Sequence, residues 1–147
     1  MSATRVYDWE RNDVEPCDIG FLSREEVLKL VNAACECLGI PVPKVRFIHA
    51  SRTPCKAIPR TWTLEISDWG RNRVTILHEV AHLATIRAIL RGEDAHGPTF
   101  VATAICLYAA FLKLDPTDLK WKAMRFGIRV GQPVLPQRVR NFSDVEF

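Results

Sequence analysis

Several things are missing from this chain of 147 residues, and each absence excludes something. No apolar run is long enough to cross a bilayer: the longest, residues 101–112, falls short of the roughly 20 residues a spanning helix needs. Residues 1–20 are acidic and hold no apolar core, so they do not read as a secretory signal. There is no internal repeat and no low-complexity stretch. The five cysteines follow no C-x-x-C spacing, and Cys35 and Cys37 would face different sides of a helix. That excludes a cysteine-based zinc ribbon and points to free thiols in a reducing cytoplasm. Acidic residues are absent from residues 119–140, where Lys120, Lys122, Arg125, Arg129, Arg138 and Arg140 stand.

What is present is an ordinary globular composition, 48% hydrophobic and 25% charged with a net charge of +3. The length suits one domain with a real core. The chain is expected to form a single α+β domain over residues 1–147. Residues 1–20 would be a polar lead-in anchored by Tyr7 and Trp9, and residues 127–147 an irregular basic tail.

Between these ends, Ser23 and Glu26 form an S-x-x-E capping box that opens a helix ending at Gly39. Alternation predicts strands over residues 44–49 and 61–66, separated by a loop. In the second strand, Trp62, Leu64 and Ile66 would share one apolar face. A largely apolar helix follows, running to Leu90 or Arg91 and stopped by Gly92. Pro98 then opens another apolar helix with Cys106 buried in it, and a short helix is expected over residues 117–126.

Only four histidines occur, and two of them stand in His78-Glu79-Val80-Ala81-His82. Four residues apart on a helix, His78 and His82 share one face and can hold one metal ion. Glu79 lies about 100° further round, beside the ion, where a carboxylate can take a proton from an attacking water. A catalytic zinc takes three protein ligands and leaves one position open. His96 is the expected third. A helix ending at Arg91 carries the chain about 13 Å past the metal, and residues 92–96, extended, reach back about 17 Å. Glu93, Asp94 and His49 are weaker candidates. Arg52, Arg60 and Tyr108 are candidates for a second oxyanion donor.

His78-Glu79-x-x-His82 followed by His96-Gly97-Pro98-x-Phe100 resembles the core of SprT-like and Spartan-type zinc proteases. The likeness covers about residues 74–112. A broader resemblance, from Arg5-Val6-Tyr7-Asp8 to Gly127-Ile128-Arg129-Val130, is to small, largely uncharacterised metallohydrolases of actinobacteria and their phages. The gap between His82 and His96 is nearer the Spartan-type length. The resemblance implies a zincin-like domain with one Zn²⁺ per chain, held by His78, His82 and His96, and hydrolysis of peptide or other amide bonds with Glu79 as general base. It also implies that the strand at residues 61–66 holds substrate by main-chain pairing. The cysteine-based zinc module of some SprT-like proteins is missing, which weighs against DNA engagement.

A peptide or protein substrate is therefore expected, without a membrane partner. Nucleic acid is the less favoured partner: Trp121 and Phe126 could stack on bases, but an amphipathic final helix would bury them instead. The competing readings are a DNA-associated protease, a small-molecule amidohydrolase and a non-catalytic module stapled by zinc.

Overall fold

The computed structural model describes residues 3–18, 20–49 and 53–134. It is a compact α+β arrangement of six α-helices and one three-stranded sheet. In chain order these are α1 (Ala3–Trp9), α2 (Arg24–Leu38), β1 (Lys44–Ile48), β2 (Lys56–Ile58), β3 (Thr63–Ser67), α3 (Arg73–Ala84), α4 (Ile86–Leu90), α5 (Pro98–Leu112) and α6 (Pro116–Arg125).

The capping box opens α2 as expected. Ser23 Oγ accepts the Glu26 N–H at 3.1 Å, and Glu26 Oε1 accepts the Ser23 N–H at 2.9 Å. The sheet departs from expectation. The loop before the second strand contains a short strand of its own, β2, antiparallel to β3, while β1 runs parallel to β3 on the other side. The order β1-β3-β2 makes β3 the centre. All five of its residues are buried, so it has no solvent face of the kind a half-buried strand keeps. Thr63 and Ser67 are covered. Glu65 is covered too and meets Arg46 at 2.9 Å and Lys56 at 3.6 Å. Trp62 lies outside the strand at φ 52°, with its indole N–H on the Pro41 carbonyl. As the central strand, β3 is paired on one side along its whole length and on the other over Thr63, Leu64 and Glu65; the edge strand beside α3 is β2.

Helix α3 carries the histidine motif and sits at the middle of the molecule, packed on α2, α5 and the sheet. Ile76, Leu77, Val80, Ala81 and Leu83 are fully buried on it. The expected continuous helix to residue 90 is broken at Thr85. There the hydroxyl donates to the Ala81 carbonyl at 2.8 Å, which also accepts the Thr85 N–H at 3.1 Å. Such back-bonding from a buried threonine loads one carbonyl twice and bends the helix. The chain restarts as α4. Gly92 ends it at φ +99°, with open space where a Cβ would stand, so backbone conformation alone calls for glycine.

The two ends need correction. Residues 3–18 are no polar lead-in: Val6, Trp9 and Val14 are fully buried. A π-helical turn, Glu10–Val14, continues α1 and brings Glu10 inward next to Trp9. At the other end, residues 127–134 form no helix or strand, as expected, but they are docked. Ile128 is buried, the Gly131 N–H reaches the Pro98 carbonyl, and the Val134 N–H reaches Thr103 Oγ1. Arg138 and Arg140 lie outside the described residues.

The last helix leaves Trp121 64% exposed, whereas Phe126 is partly buried. The expectation that both aromatics would be covered fails for Trp121. Cys106 is half-buried rather than buried, and all five cysteines are free thiols. Among the described residues no helix is long and apolar enough to cross a membrane.

Candidate metal centre

Helix α3 presents His78 and His82 one turn apart, and the loop after α4 brings His96 back to them. The three Nε2 atoms form a nearly equilateral triangle: 3.1 Å from His82 to His78, 3.1 Å from His82 to His96 and 3.3 Å from His96 to His78. A tetrahedral ion with Zn–N bonds of about 2.0–2.1 Å needs ligand atoms about 3.3–3.4 Å apart. The three histidines are therefore close enough to hold one metal ion. Among the described residues, no fourth carboxylate, cysteine or histidine joins the group.

The loop that delivers His96 is fixed at both ends. Glu93 accepts the Thr99 N–H at 2.7 Å and the Thr99 hydroxyl at 2.9 Å, which caps the first turn of α5. Its carboxylate is thus committed to the helix, not to the metal group. A Cβ on Gly97 would stand 2.9 Å from the Asp94 carbonyl oxygen, so the chain turns here only with glycine. Asp94 is not part of the converging group. His49 is exposed and meets Asp68 Oδ2 at 2.6 Å.

The inner partner of His78 is Glu10. His78 Nδ1 lies 2.7 Å from Glu10 Oε2, and the Tyr108 hydroxyl donates to the same oxygen. A carboxylate can only accept, so the proton of the neutral His78 ring sits on Nδ1 and the Nε2 lone pair faces the other histidines. This second hydrogen bond orients the ring and raises the basicity of the ligating nitrogen. It also removes Tyr108 from the candidate oxyanion donors, because its hydroxyl is buried and used. Arg60 is exposed on the turn between β2 and β3. Arg52 lies outside the described residues.

Aromatic rings hold the imidazoles from two sides. Phe100, the end of the His96-Gly97-Pro98-x-Phe100 block, stacks on His82 at 4.4 Å between centroids and meets His78 and His96 edge-on. From the other side Tyr7 stacks on His78 at 5.5 Å and meets His96 edge-on at 5.2 Å.

Burial sets the protonation of the group. It lowers His82 to about 2 and His96 to about 4, with His78 pushing both the same way, so both are neutral ligands at neutral pH. At His78 burial also lowers the pKa, but the charge and hydrogen bond of Glu10 outweigh it and the net shift is upward. Glu79 is 8% exposed, beside the triad. Burial raises its carboxyl to about 7. His78 and the Ala57 backbone N–H of β2 act downward, and Glu10 acts upward.

Sequence reasoning placed His78, His82, Glu79 and His96, and missed Glu10 together with the roles of Tyr7 and Tyr108. A signal existed. Val6, Trp9 and Val14 recur at helical spacing, and a buried ligating histidine calls for a carboxylate partner. The acidity of the segment hid the pattern. Comparison with protein-family models, with curated proteins and with solved structures gives no match to this chain, so what can be said of its chemistry rests on the site itself.

Proposed function

We propose that the protein is a zinc-dependent metallohydrolase, acting on peptide or other amide bonds, with a zincin-like domain of the kind its SprT-like motif block suggests. One observation carries the reading: three convergent Nε2 atoms at tetrahedral spacing with a buried carboxylate, Glu79, next to them on the same helix. Zn²⁺ suits three imidazoles and, when bound, supplies a Lewis acid that acidifies a water and polarises a carbonyl.

The chain's own residues do the rest. Glu10 fixes the Nδ1–H tautomer of the neutral His78 ring, so that its Nε2 lone pair is aimed inward. Phe100 and Tyr7 restrain the rings. Glu79 accepts the proton of the attacking water and delivers it to the leaving nitrogen, and burial, which raises its carboxyl, adds to its basicity. β2 offers an edge along which an extended substrate can pair, the role the sequence suggested for β3. Five free thiols fit a reducing cytoplasmic setting.

A zinc staple without activity would be favoured by a closed set of four ligands; the described residues supply three. A DNA-associated protease draws its support from Trp121, exposed between Lys120 and Lys122. Metal analysis of the purified protein, paired with an unbiased cleavage screen of wild type against Glu79→Gln, tests the main reading. Absence of bound zinc, or a cleavage pattern identical in the two proteins, would overturn it.

A further inference from the structure

Beside Glu79 and His78 opens a cavity of about 340 Å³. Small-molecule sites run from about 300 to 1,000 Å³, so this one has room for a single long side chain rather than a large ligand. Two aromatic residues line it, Tyr7 and Trp69, which are 45% and 51% exposed. Trp69 is held by its indole N–H on the Thr53 carbonyl at 2.8 Å. Pro54, Cys55 and Val74 add apolar surface to the wall beside its polar residues.

Glu10, Glu15 and Glu79 line the cavity together with His78, and among the described residues no lysine or arginine does. Two of the three are occupied: Glu10 by His78 and Tyr108, Glu79 by its place beside the metal group. Glu15 is different. It is exposed, and no lysine or arginine among the described residues pairs with its carboxylate. An apolar slot with two aromatic rings and an unpaired carboxylate suits a cation on an aliphatic stem.

We propose that this cavity selects a lysine or arginine side chain of a peptide substrate, at a residue flanking the bond to be cut, with its stem between Tyr7 and Trp69 and its cation towards Glu15. The proposal rests on the metallopeptidase reading for the bond that is cut, but not for the binding of the side chain. Glu15 and Trp69 are then specificity-determining residues, and an acidic side chain in the same position is disfavoured.

The test uses acetylated, amidated pentapeptides in which one position at a time carries arginine, lysine, norleucine or glutamate. Their binding to the zinc-loaded Glu79→Gln protein is measured by calorimetry. At one position arginine and lysine should bind about tenfold more tightly than norleucine, with glutamate weakest. Adding Glu15→Gln should bring norleucine within about threefold of lysine, and Glu15→Lys should make glutamate the preferred residue. Equal binding of lysine and norleucine at every position, no binding of any peptide, or a preference that survives Glu15→Gln would overturn the proposal. The same panel offered to the wild-type enzyme separates the two readings. Basic peptides that bind through Glu15 but are never cut remove the hydrolase and leave the pocket. Cleavage that ignores the flanking residue removes the pocket and leaves the hydrolase.

Discussion

The site is built from two regions that could hardly read more differently as sequence. One runs from α3 through the start of α5 and carries its chemistry openly, in His78-Glu79-x-x-His82 and His96-Gly97-Pro98-x-Phe100. The other, residues 3–18, shows an acidic surface composition, yet it supplies Glu10 behind His78 and Tyr7 over the rings. Ligands are legible because metal geometry fixes their spacing on one helix and one short loop. Supporting groups are not, because a hydrogen bond to the far side of an imidazole can come from any element that packs there. The difference teaches that a motif reports the atoms that touch the metal, and only the fold reports what aims them.

The largest effects should come from the open half. On the proposed reading of about one zinc per chain, His78→Ala, His82→Ala and His96→Ala should each abolish retention of the metal, measured by metal analysis after dialysis. Full occupancy in His96→Ala would remove the loop from the ligand set. Glu79→Gln should keep the zinc and the fold but lose turnover by about 100-fold or more on any substrate the cleavage screen identifies. Unchanged turnover would show that Glu79 is not the base.

Substitutions in residues 3–18 should have the next largest effects. Glu10→Gln should weaken zinc binding by about 10–100-fold, the usual cost of losing a partner behind a ligand. Tyr108→Phe should cost less, since the His78 bond to Glu10 survives. Competition with a chromophoric chelator measures both. An affinity unchanged in Glu10→Gln would make residues 3–18 mere packing.

A separate effect, on stability rather than binding, distinguishes Glu79 from its neighbours through pH. Its folded pKa is raised from 4.5 to about 7. The folded metal-free protein therefore holds this proton more tightly than the unfolded chain does. That contribution is complete below about pH 4.5 and is lost as pH rises through about 7. Relative to Glu79→Gln, metal-free wild type should lose up to about 3 kcal/mol across that window. His82 and His96 are shifted the other way and destabilise the fold as pH falls below their ordinary range. They carry no contribution from Glu79 and cancel in the difference, whereas His78, which Glu79 pushes upward, is read together with it. Denaturant titrations at several pH values check this; a difference that stays flat would place Glu79 in water.

The smallest expected effect concerns α6. If DNA binds through the exposed Trp121, charge reversal at Lys120, Lys122 and Arg125 should abolish that binding without touching zinc, and affinity should fall steeply with salt. A titration with single- and double-stranded DNA at low salt that shows no binding in the wild type removes the DNA-associated reading.

Much of the fold was legible for the same reason as the ligands. The capping box, Gly39, Gly92 and Pro98 are local signals, and they set both ends of α2, the end of α4 and the start of α5 where the sequence placed them. Long-range pairing was not. Nothing in alternation tells that residues 56–58 pair with β3, or that β3 is covered on both faces. Nor does the apolar pattern around His82 reveal that the Thr85 hydroxyl will take the Ala81 carbonyl.

Glu10 and His78 are 68 positions apart in the chain and joined by one hydrogen bond. If the site holds zinc as proposed, capture of the ion and docking of the segment that carries Glu10 are therefore two ligations of one thermodynamic cycle. Whatever factor the docked segment adds to zinc affinity, zinc must add to the docking of the segment. Loading the metal should slow protease attack and amide exchange in residues 3–18 by a factor set by that same coupling. A fusion or trim that loosens this end would show up first as an ion more easily lost.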